Sequence, residues 1–214
     1  MKKFFVDNNS SQILVILAGF ALDEKPFRIM ETKDSDYLYF YDYSDLAFEF
    51  DFSKYKKKSV LAFSYGVFIL GLLSEKFSDF EKKVCVNGTF NPVDKDFGIN
   101  PKIFDLTLLN LSEESLLKFY SKMFDNNLDY EYFLENLPHR NIQNLKKELL
   151  NIKDLAITYK NKTLQPDKVY ISKGDKIFPE KSQHNFWKNM LKFEIEAGHF
   201  LFYKFKSFNE MLDL

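Results

Sequence analysis

The most informative stretch of this sequence is SVLAFSYGVFILGLL, residues 59–73. It begins as a strand-like apolar run, ends as a helix-like apolar run, and has Ser64 where the two runs meet. Ala62 and Gly66, two positions away on either side, are small enough to permit a sharp strand-to-helix turn that lifts the serine hydroxyl clear of the sheet edge. The stretch therefore predicts a nucleophile elbow, in which Ser64 is the nucleophile of a serine hydrolase.

Strand-like and helix-like segments alternate along the rest of the chain. Several of the strand-like runs are continuous and β-branched, which is typical of strands covered on both faces. The predicted strands are residues 3–6, 13–18, 37–41, 59–63, 83–87, 169–172 and 193–195. The predicted helices are residues 67–77, 113–124, 142–150, 180–188 and 208–212. This alternation predicts an α/β fold, with a mostly parallel sheet flanked by helices and right-handed crossovers.

One long interval, at about residues 91–159, contains helices and turns but no convincing strand. We call it the helical excursion. In an α/β fold with a nucleophile at the sheet edge, an insertion of this length at this point would form a helical lid over the nucleophile. Its many apolar side chains are expected to pack the lid against the body, with a minority lining an acyl pocket. We therefore predict one domain over residues 1–214, with a lid at about 91–159.

Composition and charge argue against several kinds of partner. The chain carries 30 Lys and Arg against 31 Asp and Glu, so no overall field attracts it to nucleic acid or to an anionic membrane. The N-terminus turns polar at Asp7, before a signal-peptide core could form, and no apolar run reaches the length of about 20 residues that a membrane span requires. The single cysteine, Cys85, lies in a strand-like run and is expected to be a buried, unreactive thiol. We expect a cytoplasmic monomer with no nucleic-acid or membrane partner.

A serine nucleophile needs a general base, and the chain has three histidines. His139 lies in the helical excursion, and His184 lies on a predicted surface helix. His199 follows the last predicted strand, so it lies at the carboxyl edge of a parallel sheet, where ligands collect in α/β folds. His199 is therefore the predicted base.

The carboxylate that orients the base is expected at the end of the strand before the histidine. Asp175 meets this condition, because Gly174 lets the chain turn just after strand 169–172. An aspartate at such a position also serves as a turn residue or a helix N-cap. Asp175 is the predicted acid of a Ser-His-Asp triad, and Asp105 remains the alternative.

Attack on a carbonyl carbon creates an oxyanion, which two preorganised backbone N–H groups would stabilise. One is expected from Tyr65, immediately after the nucleophile. The other is expected from Phe20, in the loop that closes strand 13–18, where Gly19 permits close approach. Gly19 also fits an ordinary turn.

Two sets of residues point to known proteins. The first is Ser64, Asp175 and His199 in this order, with AFSYG at residues 62–66. In these the chain resembles the α/β-hydrolase superfamily. The second set is AGF (18–20), EKPF (24–27), YDYSDL (41–46), NGT (87–89), PVD (92–94), GINPKIF (98–104), TLLNLS (107–112) and KFY (118–120). In these the chain resembles, more narrowly, the short BioG-type pimeloyl-ACP methyl ester esterases of biotin synthesis, and the resemblance spans nearly the whole chain. Ala62 departs from the first glycine of the superfamily pattern G-x-S-x-G.

This resemblance implies hydrolysis of the methyl ester of a pimeloyl-acyl-carrier-protein methyl ester, without a metal or an organic cofactor. It also implies an acyl carrier protein as partner. Because such carriers are strongly acidic, we expect basic residues around the pocket mouth. The candidates in the helical excursion are Lys118, Lys122, Arg140, Lys146 and Lys147.

Two other functions remain open at this level. A serine esterase or thioesterase acting on small free acyl esters would need the same triad but no carrier. A non-catalytic relative of the fold that only binds an acyl ligand would need neither the triad nor a carrier.

Overall fold

A seven-stranded β-sheet forms the centre of the protein in a computed structural model that describes residues 1–159 and 164–213. Its strands are β1 (Lys2–Val6), β2 (Gln12–Leu17), β3 (Asp36–Tyr41), β4 (Lys57–Phe63), β5 (Lys82–Val86), β6 (Lys168–Ser172) and β7 (Lys192–Ile195). Their order across the sheet is β1-β3-β2-β4-β5-β6-β7. β1 pairs antiparallel with β3 at one edge, and the other neighbours pair in parallel. The predicted mostly parallel sheet is confirmed, and all the predicted strands are present with small shifts at their ends.

The neighbouring strands β2 and β4 are buried towards their carboxyl ends. Their continuous apolar sequences suit strands that are covered on both faces. The parallel register places Leu17 of β2 opposite Ala62 of β4, and Ala62 opposite Cys85 of β5. The carboxyl ends of three strands therefore meet at one edge of the sheet, and the segments that follow them lie side by side.

Helices lie between successive strands from β4 onwards and after β7. Within the described residues they are α1 (Tyr65–Leu72), α2 (Pro101–Leu109), α3 (Glu113–Lys122), α4 (Asn127–Glu135), α5 (Ile142–Thr158), α6 (Glu180–Phe186) and α7 (Phe208–Asp213). The predicted helix 67–77 is divided, because the backbone leaves helical geometry at Leu73 and continues as a 3₁₀ segment at Ser74–Phe77. α5 continues past the predicted end at residue 150, and α6 stops short of residue 188.

The helical excursion contains α2 to α5, between β5 and β6. Two of these helices, α2 and α4, were not among the predicted segments, although their start signals are present in the sequence. Asn100 caps α2 by accepting a hydrogen bond from the Lys102 N–H, and Pro101 follows it at the first helical position. Asn126 caps α4 by accepting from the Asp129 N–H. The two helices are short, and their apolar residues give only a weak helical periodicity.

Aromatic side chains form the core beneath the carboxyl edge of the sheet. The Phe63 ring, at the end of β4, contacts the rings of Phe200 and Phe202, with centroids 5.8 and 5.1 Å away. Phe27 packs on the same two rings, at 5.2 and 4.9 Å. These four residues belong to three separate segments of the chain, so their packing fixes the relative positions of those segments.

Cys85 is fully buried in β5, and burial raises the pKa of its thiol well above the ordinary value. The expected buried thiol is confirmed. No helix in the described part of the chain is both long enough and apolar enough to cross a membrane.

Candidate active site

Ser64 lies between β4 and α1 in a strained backbone conformation, with φ of 55° and ψ of −119°. A residue with a side chain adopts such a conformation at a cost of about 1–3 kcal/mol, so the surrounding structure must hold it. The Ser64 N–H donates a hydrogen bond of 2.8 Å to the carbonyl oxygen of Val86, at the end of the neighbouring strand. The turn therefore has the geometry expected of a nucleophile elbow.

Close backbone contacts explain the small residues around this turn. A Cβ atom on Gly66 would lie 2.1 Å from the carbonyl oxygen of Leu17, and one on Gly88 would lie 2.3 Å from that of Ser64. Ala62, in contrast, is accommodated with its side chain fully buried. Glycine is thus required at position 66, whereas the alanine that departs from G-x-S-x-G at position 62 fits the fold.

The imidazole of His199 meets the carboxylate of Asp175, with 2.8 Å between Nδ1 and Oδ2. Their side chains are 1% and 0% exposed, so the pair is shielded from water. Because a carboxylate accepts hydrogen bonds and does not donate them, Nδ1 carries the proton and Nε2 is left as the basic nitrogen. The two residues follow β6 and β7, as the sequence predicted for them.

Three further donors hold the Asp175 carboxylate. Its Oδ1 atom accepts from the backbone N–H groups of Ile177 and Phe178, both at 2.8 Å. Its Oδ2 atom accepts from the Nε2 group of Gln183 on α6, at 3.2 Å. The second role considered for Asp175, that of a turn residue, is therefore combined with its contact to His199. Gln183 is fully buried and was missed by sequence reasoning, because an isolated glutamine on a helix gives no signal of its partner.

Asn87 positions the segment that carries His199. Its Nδ2 group donates to the carbonyl oxygen of His199 at 2.7 Å and to the hydroxyl of Ser172 at 2.8 Å. Its Oδ1 atom accepts from the Ser172 N–H at 2.7 Å. One buried amide at the end of β5 thus joins the end of β6 to the histidine loop. The sequence predicted Asn87 as the end of a strand and gave no sign of this structural role.

His199 lies beside the residue that precedes the serine, with its ring centroid 4.8 Å from that of Phe63. Among the described residues, no hydrogen bond joins the Ser64 hydroxyl to the imidazole. Such bonds are often long in unliganded enzymes and tighten when substrate binds.

The alternative residues lie elsewhere. His139 is exposed and contacts the amino group of Lys25 at 2.8 Å through its Nε2 atom. His184 lies on α6, near the carboxylates of Glu180 and Glu194. Asp105 is half-exposed on α2 and forms an ion pair of 2.7 Å with Lys153. The structure therefore brings Asp175, and not Asp105, to His199.

The loop after β2, residues 18–23, lies against the serine turn, and we call it the β2 loop. A Cβ atom on Gly19 would lie 3.0 Å from the Cβ atom of Ser64. The backbone N–H groups of Phe20 and Tyr65 donate to no acceptor in the described residues. Both residues line the same cavity as Ser64, with their rings 6.3 Å apart. The two residues predicted to supply oxyanion donors thus border the same cavity as the serine. Burial raises the pKa of the Tyr65 phenol well above its usual range, so this side chain stays neutral.

Ser64 opens into a cavity of about 300 Å³ between the sheet edge and the helical excursion. The lining combines apolar side chains with a few polar ones, as in most small-molecule sites. Its residues are Phe20, Ser64, Tyr65, Ile99, Ile103, Phe104, Thr107, Asn110, Leu111, Ser115, Lys118, Phe119, Lys122, Leu149, Lys176 and Ile177. The excursion contributes most of the apolar wall, so it covers the serine on one side.

Among the residues that the structure describes, three lysines line this cavity: Lys118, Lys122 and Lys176. We call them the basic rim. The first two were predicted as carrier contacts. Lys176 was missed, although its position next to Asp175 places it at the same sheet edge.

The other predicted basic contacts lie elsewhere. Lys146 and Lys147 are exposed on α5 and do not line the cavity. The prediction for Arg140 is wrong. Its side chain is 1% exposed and lies 2.6 Å from the carboxylate of Glu148 and 3.5 Å from that of Asp42, so it cannot meet a partner in solution.

No group of three or more histidine, cysteine, aspartate or glutamate side chains in residues 1–159 and 164–213 is arranged to hold a metal ion.

Comparisons with known proteins show the family to which this chain belongs. Residues 1–211 match the model of the pimeloyl-ACP methyl esterase family, BioG. The chain belongs to the BioG family. A crystal structure of BioG from Haemophilus influenzae superposes on it with a TM-score of 0.93 and 28% identity, covering 100% of both chains. An esterase from Exiguobacterium antarcticum shares the fold, with a TM-score of 0.65 and 14% identity over 94% of this chain and 89% of that one. This member of the BioG family therefore has an α/β-hydrolase fold.

A further relative of this BioG-family chain is larger. A protein of Bacteroides fragilis, named malonyl-[acyl-carrier protein] O-methyltransferase, is 34% identical to it over 179 residues. The match covers 83% of this chain but only 36% of that protein, so this chain spans about a third of the relative's length.

Proposed function

We propose that this protein hydrolyses the methyl ester of pimeloyl-[acyl-carrier protein] methyl ester, releasing methanol and the pimeloyl carrier. The observation that carries the proposal is the buried contact of 2.8 Å between His199 Nδ1 and Asp175 Oδ2, beside the strained turn of Ser64. Such a pair holds one imidazole nitrogen ready to accept a proton. Membership of the BioG family supplies the substrate class.

The reaction follows from the positions of these groups. Ser64 Oγ attacks the ester carbonyl carbon while His199 Nε2 takes the hydroxyl proton. The resulting imidazolium is stabilised by Asp175, and the tetrahedral intermediate collapses as the imidazolium gives its proton to the departing methanol. A water molecule then attacks the acyl-serine, with His199 again taking a proton, and the free carboxylic acid leaves as Ser64 recovers its hydrogen.

The Phe20 and Tyr65 amides would stabilise the oxyanion in both halves of this reaction. Their N–H groups have no acceptor in the described part of the protein, so they are available without breaking an existing hydrogen bond. Donors that are already oriented cost no reorganisation at the moment of reaction, and one such donor is worth about 3 kcal/mol.

The cavity and its basic rim support a carrier-bound substrate. Apolar residues line the space next to Ser64, as an acyl chain requires, while Lys118, Lys122 and Lys176 offer positive charge to an acidic carrier or to the phosphate of its prosthetic arm. The Bacteroides relative is named for methyl transfer to a malonyl group on such a carrier, which agrees with a carrier-bound methyl ester as substrate.

The test compares Ser64→Ala with Ser35→Ala, a change of a buried serine that does not line the cavity. With pimeloyl-carrier methyl ester as substrate and the mass of the carrier product as readout, Ser64→Ala should lower turnover by about a thousandfold or more. Ser35→Ala should leave it unchanged. Methyl ester cleavage that survives Ser64→Ala would refute the proposed mechanism.

Two further measurements separate the other candidate functions. Equal rates on the carrier-bound ester and on the same ester without its carrier would favour an esterase of small free esters. Failure of a phosphonate probe to label Ser64 would favour a non-catalytic acyl-binding protein. In cells, the unaltered gene, but not its Ser64→Ala form, should restore biotin-independent growth to a host that lacks its own esterase for this step.

A further inference from the structure

The β2 loop is held by side chains from the helical excursion. The hydroxyl of Tyr120, on α3, donates to the carbonyl oxygen of Ala21 at 2.7 Å. The Nη1 group of Arg140, between α4 and α5, donates to the carbonyl oxygen of Leu22 at 2.8 Å. Two successive peptide groups of the loop are thus bonded to residues about 100 positions later in the chain.

Both donors are themselves held in place. Tyr120 is 1% exposed, so its ring has little freedom to move. The Arg140 guanidinium lies between the carboxylates of Glu148 and Asp42, which compensate its buried charge. Glu148 also accepts a hydrogen bond from the Tyr43 N–H at 3.3 Å. The rigid planar fork of arginine suits such a position, because it can bond a carboxylate and a carbonyl at once.

Both ends of the loop are bonded elsewhere, at Ala18 and Asp23, but its middle has little bonding of its own. Ala21 has a φ of 64°, a conformation that a residue with a side chain keeps only when its surroundings impose it. Within the loop, the Leu22 N–H reaches the Gly19 carbonyl oxygen only at 3.4 Å. The residue that precedes Ala21 is Phe20, whose amide is one of the two proposed oxyanion donors. The direction of that N–H therefore depends on the peptide groups that follow it.

We propose that Tyr120 and Arg140 are positioning residues for the oxyanion hole. Through the carbonyl oxygens of Ala21 and Leu22 they hold the β2 loop so that the Phe20 N–H points towards the substrate oxygen. The inference rests on the proposed function, because it assigns these two residues to the same reaction. It gives the helical excursion a part in the chemistry besides covering the cavity.

The decisive variant is Tyr120→Phe, which removes one hydroxyl and keeps the ring. Its matched control is Tyr170→Phe, because the Tyr170 hydroxyl donates to a buried carbonyl oxygen, that of Met211, at a similar distance of 2.9 Å but away from the cavity. With a short p-nitrophenyl ester, Tyr120→Phe should lower kcat by about 10- to 100-fold with KM unchanged, since a small displacement of a reacting group has effects of this size. The inhibition constant of a trifluoromethyl ketone, which forms an oxyanion on the serine, should rise by the same factor.

Arg140→Lys is the second variant, because it keeps the positive charge but loses the fork. It should also lower kcat at constant KM. A kcat of Tyr120→Phe within twofold of the unaltered protein, or an equal loss in Tyr170→Phe, would overturn the inference.

An NMR readout distinguishes this inference from the proposed function. In ¹⁵N-labelled protein, Tyr120→Phe should shift the Phe20 and Leu22 amide signals and speed hydrogen exchange at Leu22, whereas Tyr170→Phe should not. If the unaltered protein cleaved no ester and Ser64 resisted the phosphonate probe, the proposed function would fail. Unchanged Leu22 exchange in Tyr120→Phe would refute the positioning role in either case.

Discussion

The carboxyl edge of the sheet and the helical excursion both contribute residues to one cavity, and the two regions are built differently. At the sheet edge, Asp175 and His199 are almost fully buried, and backbone and side-chain donors occupy both carboxylate oxygens. On the excursion, several apolar side chains are exposed, including Ile103, Leu106 and Leu109 of α2, at 54–77%. The proposed proton transfer thus involves buried, hydrogen-bonded side chains, whereas the excursion carries more exposed apolar surface.

The excursion is not uniform, however. Its cavity side carries exposed lysines. Away from the cavity, Tyr120, Arg140 and Glu148 form hydrogen bonds to the β2 loop and to the loop after β3, and we call these three residues the base of the excursion. A lid that moved as a whole would have to break these buried bonds. We therefore expect any opening to involve α2 and the cavity side of α3 while the base stays in place.

The largest effect is expected from the Asp175 carboxylate, at the carboxyl edge of the sheet. Asp175→Asn should lower kcat by about 10⁴-fold, because the amide can no longer hold the imidazole in the tautomer that leaves Nε2 basic. Its control is Asp105→Asn, a change of a half-exposed carboxylate that pairs with Lys153 on the excursion. Steady-state kinetics on the carrier ester measure kcat of both variants. An equal loss of kcat in Asp105→Asn would mean that the sheet edge and the excursion do not differ in their part in the chemistry.

The next effect concerns stability at the base of the excursion. Arg140→Ala should lower the free energy of unfolding by about 3–5 kcal/mol, because it leaves the fully buried carboxylate of Glu148 without its ion-pair partner. Lys146→Ala, an exposed position on α5, should change it by less than about 0.5 kcal/mol. Urea unfolding measures both. If Arg140→Ala changed the free energy of unfolding as little as Lys146→Ala does, the base of the excursion would contribute no more to stability than its exposed surface.

A smaller effect is expected at the basic rim. Replacing Lys118, Lys122 and Lys176 together by Glu should raise KM for the carrier-bound ester by about 10- to 100-fold at low salt, because charge pairs across a docking surface act on encounter and weaken with ionic strength. KM for a small free ester should not change. The control is Lys146→Glu with Lys147→Glu, which alters two charges away from the cavity. An equal rise in KM for carrier-bound and free esters would mean that the basic rim acts on the reacting ester and not on carrier docking.

The smallest effect is expected at the elbow. Ala62→Gly restores the superfamily pattern and should lower stability by about 0.5–1 kcal/mol, since glycine has more backbone freedom to lose in a strand. kcat should stay within a few-fold of its original value, because the Ser64 turn is held by contacts at Gly66 and Gly88. A gain of tenfold or more in kcat would show that the alanine strains the turn.

Sequence reasoning was most successful where the order of elements decides the outcome. Ser64, Asp175 and His199 were placed at the ends of predicted strands, and parallel strands bring their carboxyl ends to one edge. It was least successful for isolated polar residues whose partners are distant in the chain. Arg140 was expected at the pocket mouth but is buried, and Gln183 carried no sequence pattern that indicated its partner. Lys176 was missed although it is next to Asp175. The helices α2 and α4 were missed because short helices with mixed faces have little periodicity.

The sequence by itself determined the alternation of strands and helices and the strand-to-helix junction at Ser64, because these depend on local patterns of apolar and small residues. It also determined the family to which the chain belongs, because the family motifs are short stretches of contiguous residues. Tertiary structure alone decided that Asp175 rather than Asp105 reaches His199, that Arg140 is buried, and that Tyr120 bonds the β2 loop. Each of these depends on which groups from remote segments converge at one point, and burial or hydrogen bonding at that point has no signature in the local order of residues.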